Sequence, residues 1–155
     1  MRHLHFGKLF FVVFSLLLAC TVSARKPIKT LLITGQNNHN WQVSHVVLKQ
    51  ILENSGRFDV DFVISPEQGK DMSGFVLDFS PYQLVVLDYN GDSWPEETNR
   101  RFLEYVQNGG GVVIYHAADN AFSKWPEFNK ICALGGWEGR NENSGPYVYW
   151  KDGKL

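Results

Sequence analysis

Gly109-Gly110-Gly111-Val112-Val113-Ile114-Tyr115-His116-Ala117-Ala118-Asp119-Asn120 reads as a tight turn, a short buried strand and an abrupt polar exit that begins at His116. The glycines stand before the strand. A loop that cradles phosphate needs them between a strand and the following helix. The triplet is therefore read as a helix C-cap and turn, where a left-handed backbone is cheap only for glycine. In an open α/β sheet, ligands bind in the crevice at the carboxyl ends of the strands. A histidine on the way out of such a strand stands where chemistry usually occurs.

Upstream, the same alternation repeats. Lys29 to Thr34 is an apolar strand run, and Gly35-Gln36-Asn37-Asn38-His39-Asn40 is a polar loop. Val43, Val46, Val47, Ile51 and Leu52 recur at helical spacing until Asn54-Ser55-Gly56 stops the helix. Phe58 to Ile64 predicts a second strand, Ser65 to Ser80 a looser connection, and Leu84 to Leu87 a third strand. Ser93 can cap the next helix, with Pro95 near its first turn and Glu96 and Glu97 at the favourable end of the dipole. Val112 to Tyr115 is the fourth strand, and a further helix fits Lys124 to Leu134. Strands that alternate with helices imply a parallel sheet with right-handed crossovers. The near-continuous apolar runs imply strands covered on both faces.

If strands one, three and four are neighbours, as in a flavodoxin-like order, their exits converge. The first exit offers Gln36, Asn37, His39 and Trp41; the third strand offers Asp88, Tyr89, Asn90 and Asp92; the fourth offers His116, Asp119 and Asn120. Polar groups with aromatic walls describe a site for a small, hydroxyl-rich ligand. His116 is the candidate general acid/base, with His39 and Asp88 as catalytic partners that orient substrate or assist proton transfer. Gln36, Asn37, Trp41, Asn90, Asp119 and Asn120 are the candidate substrate-binding residues. Each has a plainer alternative: a capping Asp88, a loop His39 bonded to backbone, a packing Trp41. His45 reads as a structural or solvent-facing helix residue. His39, His116 and Asp88 could form a metal set, but no local H-x-x-x-H spacing supports one, and no metal or cofactor is assigned. There is no G-x-S-x-G or G-x-C-x-G elbow, which argues against the usual serine or cysteine hydrolase.

The 155 residues are enough for one domain, and 44% hydrophobic with 20% charged residues is ordinary for a globular chain. The first 24 residues differ. A short basic stretch from Met1 to Lys8, an apolar run from Leu9 to Ala19, and Val22-Ser23-Ala24 at a cleavage position read as a secretory signal peptide. The run is short for a membrane span. Leu17-Leu18-Ala19-Cys20 also resembles a lipoprotein box, so a lipid anchor on Cys20 is the alternative to cleavage after Ala24. Either route places the protein outside the cytoplasm, in the periplasm or at the cell surface. Removing Arg2 and Lys8 from the 15 basic residues leaves 13 against 16 acidic ones, a net charge of about −3. That balance argues against nucleic acid and anionic membrane surfaces as partners. Only Cys132 would remain, in the apolar company of Phe128, Ile131 and Leu134, as a small core residue and not a nucleophile.

Near the end, Pro146 to Trp150 reads as a strand and Lys151-Asp152-Gly153-Lys154 as a hairpin turn, with Leu155 the first apolar residue of a return strand. The expectation is an α/β domain over 25–155 that is incomplete at its C-terminus, within a hairpin.

Leu31-Leu32-Ile33-Thr34-Gly35-Gln36-Asn37-Asn38-His39-Asn40-Trp41, Gly109 to Asp119, and Gly135-Gly136-Trp137 together resemble the trehalose-utilisation, or ThuA-like, family, and most of all its exported Bacteroidetes members. The resemblance runs from about Lys29 to the end. It implies the flavodoxin-like, class I glutamine-amidotransferase-like fold. In amidotransferases a cysteine stands at the strand-to-helix elbow; here His116 or its neighbour falls near that place, so that nucleophile is missing. Family members usually continue for about another hundred residues. The resemblance implies a small carbohydrate ligand, of the trehalose or 3-keto-sugar type, without defining a reaction. A non-catalytic carbohydrate-binding domain and a metal-dependent, hydrolase-like enzyme remain the alternatives. Oligomeric state is left open.

Overall fold

The structure, a computed structural model, describes residues 26–133 and 150–154. The stretch read as a signal peptide, Cys20, Gly135-Gly136-Trp137, the run from Pro146 to Tyr149, and Leu155 lie outside the described residues. Four strands form one sheet: β1 (Ile28–Thr34), β2 (Phe58–Ile64), β3 (Leu84–Leu87) and β4 (Gly111–Ile114). Their order is β2-β1-β3-β4 and every neighbouring pair is parallel. This is the flavodoxin-like arrangement, with the chain reversing its direction of growth between β1 and β3.

The Leu31-Leu32-Ile33 run makes β1 central, because successive side chains go to opposite faces and both faces are covered. Leu31 and Ile33 join Val85, Leu87 and Phe102 in the larger core cluster. Leu32 joins Val60 and Val86 in a smaller one, under Leu48 and Leu52 of helix α1 (Trp41–Asn54). Helix α2 (Glu96–Gln107) contributes Phe102 to the larger core.

The connection from β2 to β3 has no helix among its residues. It covers the larger core instead with Phe75, Leu77 and Phe79, an alternating set that is buried. Buried Thr98 of α2 pins this segment: its hydroxyl donates to the Phe75 carbonyl at 2.7 Å and accepts from the Leu77 N–H at 3.3 Å.

The glycine triplet is architectural, as its position before the strand predicts. Gly109 has φ +89°, its N–H reaches the Val106 carbonyl, and the Gly110 N–H reaches the Tyr105 carbonyl. Those two bonds are the Schellman pair that closes a helix C-terminus.

Some local expectations are corrected. Ser93 does not cap α2: Pro95 holds the N-cap position with extended backbone, and no side chain caps the helix. The last described helix, α3, spans Pro126–Cys132 and starts later than Lys124, with the proline at its first turn. β4 is only half-buried. It is the last strand of the described sheet, and Val113 is 45% exposed. At the chain end the Asp-Gly turn is present: Asp152 and Gly153 both have positive φ, and Lys151 and Lys154 exchange backbone hydrogen bonds. Among the described residues no helix is long and apolar enough to cross a membrane.

Candidate functional site

The sheet register sets the site. Ile33 pairs with Leu87, and Leu87 with Ile114. One residue further on, Thr34, Asp88 and Tyr115 form the last row, tied by hydrogen bonds from Asp88 N–H to the Ile33 carbonyl and from Tyr115 N–H to the Leu87 carbonyl. By alternation these three face the same side as Leu32, Val86 and Val113, the side that carries α1. The apolar rows of the sheet thus end in a polar row beneath the start of a helix.

Asp88 is 1% exposed. One carboxylate oxygen accepts from the Ser44 hydroxyl at 2.5 Å and, at the long limit of 3.5 Å, from Thr34. The other accepts from the Asn37 carboxamide at 3.1 Å. Burial holds the Asp88 pKa above the usual carboxylate value; the hydrogen bonds from Ser44, Thr34 and Asn37 oppose that shift without cancelling it. Asn37 also accepts the His39 backbone N–H at 3.0 Å. A chain of contacts therefore runs from Asp88 through Asn37 to the loop that carries His39.

His39 and His116 meet edge to face with ring centroids 4.7 Å apart. Both are exposed, and neither ring is hydrogen-bonded among the described residues. His116 begins a five-residue 3-10 segment (His116–Asn120) and has φ +48°. The left-handed region is uncommon for a residue with a Cβ, and such outliers cluster at functional elbows. The two imidazoles, Asp88, Asn37, Ser44 and Tyr115 line a cavity of about 360 Å³, with Val43 and Val47 of α1 as its apolar wall.

The remaining sequence-derived candidates lie elsewhere. Asn90 and Asn120 line a second, larger cavity of about 900 Å³. Asn90 remains linked to the first loop by a hydrogen bond to Asn38 at 3.2 Å. Gln36 is buried and braces the third exit. Its amide donates to the Pro66 carbonyl at 2.8 Å and its oxygen accepts the Asp92 N–H at 2.7 Å. Trp41 lines neither cavity; its carbonyl lies 2.6 Å from the His45 Nδ1. Asp119 also lines neither, and its charge acts on Cys132. His45 is a packed residue, with its ring against Trp41 and Phe62. The Cys132 thiol is pushed up to about 11, chiefly by burial and further by Asp119, so it is a poor nucleophile. Among the described residues no group of three or more His, Cys, Asp or Glu is arranged to hold a metal ion.

Sequence reasoning passed over Ser44 and Thr34. Thr34 reads as the last residue of an apolar strand, and Ser44 as a polar residue within a helix. Neither shows its role until the sheet register and the start of α1 put both hydroxyls on Asp88.

A parallel sheet in this order, with polar residues gathered at the reversal point, defines an α/β protein of flavodoxin-like arrangement, and the carboxyl ends of β1, β3 and β4 are its candidate site. A solved crystal structure of a protein described as ThuA-like, from Parabacteroides merdae, matches with 99% sequence identity and a TM-score of 0.75. The match covers 83% of this chain and 46% of that one, so the chain spans less than half the length of the protein it matches. That identity supports the ThuA-like family for the matched stretch of this chain. No protein-family model matches the chain, and no curated protein matches it.

Proposed function

We propose that this is an exported protein that binds and processes a sugar or keto-sugar derivative in the crevice beside β1, β3 and β4. The observation that carries the proposal is the pair of imidazoles, in contact at 4.7 Å over a buried, hydrogen-bonded carboxylate at the reversal point of the sheet. Imidazole exchanges protons near neutral pH, so His116 serves as general acid/base toward a substrate hydroxyl or carbonyl, with His39 beside it. Asp88 acts as a positioning residue through Asn37. The association of the family name with trehalose utilisation supports a carbohydrate as the ligand. Export follows from the reading of residues 1–24.

A second reading is a carbohydrate-binding module without turnover. It is favoured by one observation: neither imidazole has a hydrogen-bonding partner to fix its tautomer among the described residues. His116→Ala separates the two. With a 3-keto-glucoside as substrate, loss of turnover with binding retained by calorimetry supports catalysis. Lost binding, in a protein with no detectable turnover before substitution, supports the module. A variant that binds and turns over normally overturns both.

A further inference from the structure

The five residues of the 3-10 segment have one end in each cavity: His116 in the first, Asn120 in the second. Four steps of such a helix separate the two ends by about 8 Å. The second cavity belongs to the opposite, α2-bearing side of the sheet edge. Its walls are carboxamides, from Asn90, Asn99 and Asn120, with the rings of Phe122 and Trp125.

These groups select a ligand class. A carboxamide both donates and accepts, which matches a hydroxyl that does the same. An aromatic face matches the apolar face of a ring. The basic group of the wall, Lys124, stands alone against Asp92, and no glycine-rich turn between strand and helix is present to take a phosphate. Two further features mark the place. The Asn99 Oδ1 is buried without a hydrogen-bond partner among the described residues. Buried polar atoms of that kind are few in folded proteins. Phe122 has φ +54°, although bulky residues avoid that region. Its ring is held there between Tyr89, Trp94 and Phe128.

We propose that the second cavity is a distal subsite for a neutral, polyhydroxylated ring, so that the ligand of this protein has at least two ring units, one at His39 and His116 and one against Asn120 and Trp125. The inference rests on the carbohydrate reading of the first cavity. Asn90, which lines the second cavity, donates to Asn38 of the loop that carries Asn37 and His39 of the first.

The test compares glucose with maltose and trehalose by calorimetry on the full chain and on Asn120→Ala. Both two-ring sugars are used because the linkage is not specified by the cavities. The expected result is at least one two-ring sugar that binds more tightly than glucose. Its affinity should fall about fivefold or more in Asn120→Ala while that of glucose is unchanged, as for one lost hydrogen bond. Lys124→Ala, on the same wall and exposed, is the second variant if the first is poorly folded by circular dichroism. Equal losses for one-ring and two-ring sugars, or no loss for either, overturn the distal subsite and leave the first cavity standing. Absence of binding by all three sugars to the unsubstituted chain removes the subsite together with the carbohydrate reading on which it rests.

Discussion

Gly35 leaves β1 with φ +119°, and a Cβ at that position would lie 2.4 Å from the Ser65 backbone nitrogen. Backbone cannot move aside as a flexible side chain can, and the Ser65 N–H is already bonded to the Thr34 carbonyl at 2.8 Å. Gly35→Ala is therefore expected to lose about 2–4 kcal/mol, from strain and overpacking together, measured as a lower urea midpoint at unchanged slope. A loss below half a kcal/mol would contradict this packing. Asp88 makes a second residue-level claim. Its carboxyl keeps its proton to higher pH in the folded chain than in the unfolded one, where the ordinary value is near 3.8. Stability from this group is fully present below the unfolded value and falls as pH rises through the folded one. Asp88→Asn cannot titrate, so its stability should decline less across mildly acid pH. Urea midpoints taken at intervals from about pH 3.5 to 6.5 check this, and an unchanged slope against pH contradicts it.

At the scale of the elements, Gly109 offers a cleaner glycine test than Gly35. Nothing lies within 4 Å of a Cβ built there, so only its φ of +89° matters. Gly109→Ala should lose about 1 kcal/mol through the C-cap of α2 alone. A loss as large as that of Gly35→Ala would mean the cap carries packing the geometry does not show. The same element shows how far sequence reaches. The strand runs, the polar exits and the cap before β4 were legible because apolar periodicity and a positive-φ glycine are local signals. The Ser93 cap was misread because Pro95 starts the helix in its place and buried Trp94 fixes the approach, which is a tertiary fact. The sharing of Asp88 by Ser44 and Thr34, and the division of the polar residues between two cavities, depend on sheet register and helix placement. No residue-by-residue pattern records either.

Across the whole molecule, the two faces of the sheet differ. One is filled by α2, α3 and the 65–83 segment. The other has α1 over β1 and β2, while β4 is half-buried among the described residues. Val43, Val47 and Ile51 are 55%, 44% and 61% exposed along one side of α1, and Val43 and Val47 line the cavity walled by Tyr115. Contiguous apolar surface of this kind promotes association. The 155-residue chain is therefore expected to self-associate at micromolar concentrations, and Val47→Lys with Ile51→Lys to shift it toward monomer in light scattering. A monodisperse monomer without the substitutions would contradict this. The expectation of strands covered on both faces is met at the central strands β1 and β3, while among the described residues the edge strands β2 and β4 are only partly buried.

Ligand is proposed to bind where β1, β3 and β4 end. Amide chemical-shift perturbation during titration with trehalose and 3-keto-trehalose tests it directly. Shifts are expected at 36–40, 88–92 and 115–122, and little change near the groove at the opposite end of the sheet, lined by Asp78, Tyr82 and Tyr105. Shifts confined to that opposite groove, or saturating binding without any change at His39 and His116, would contradict it.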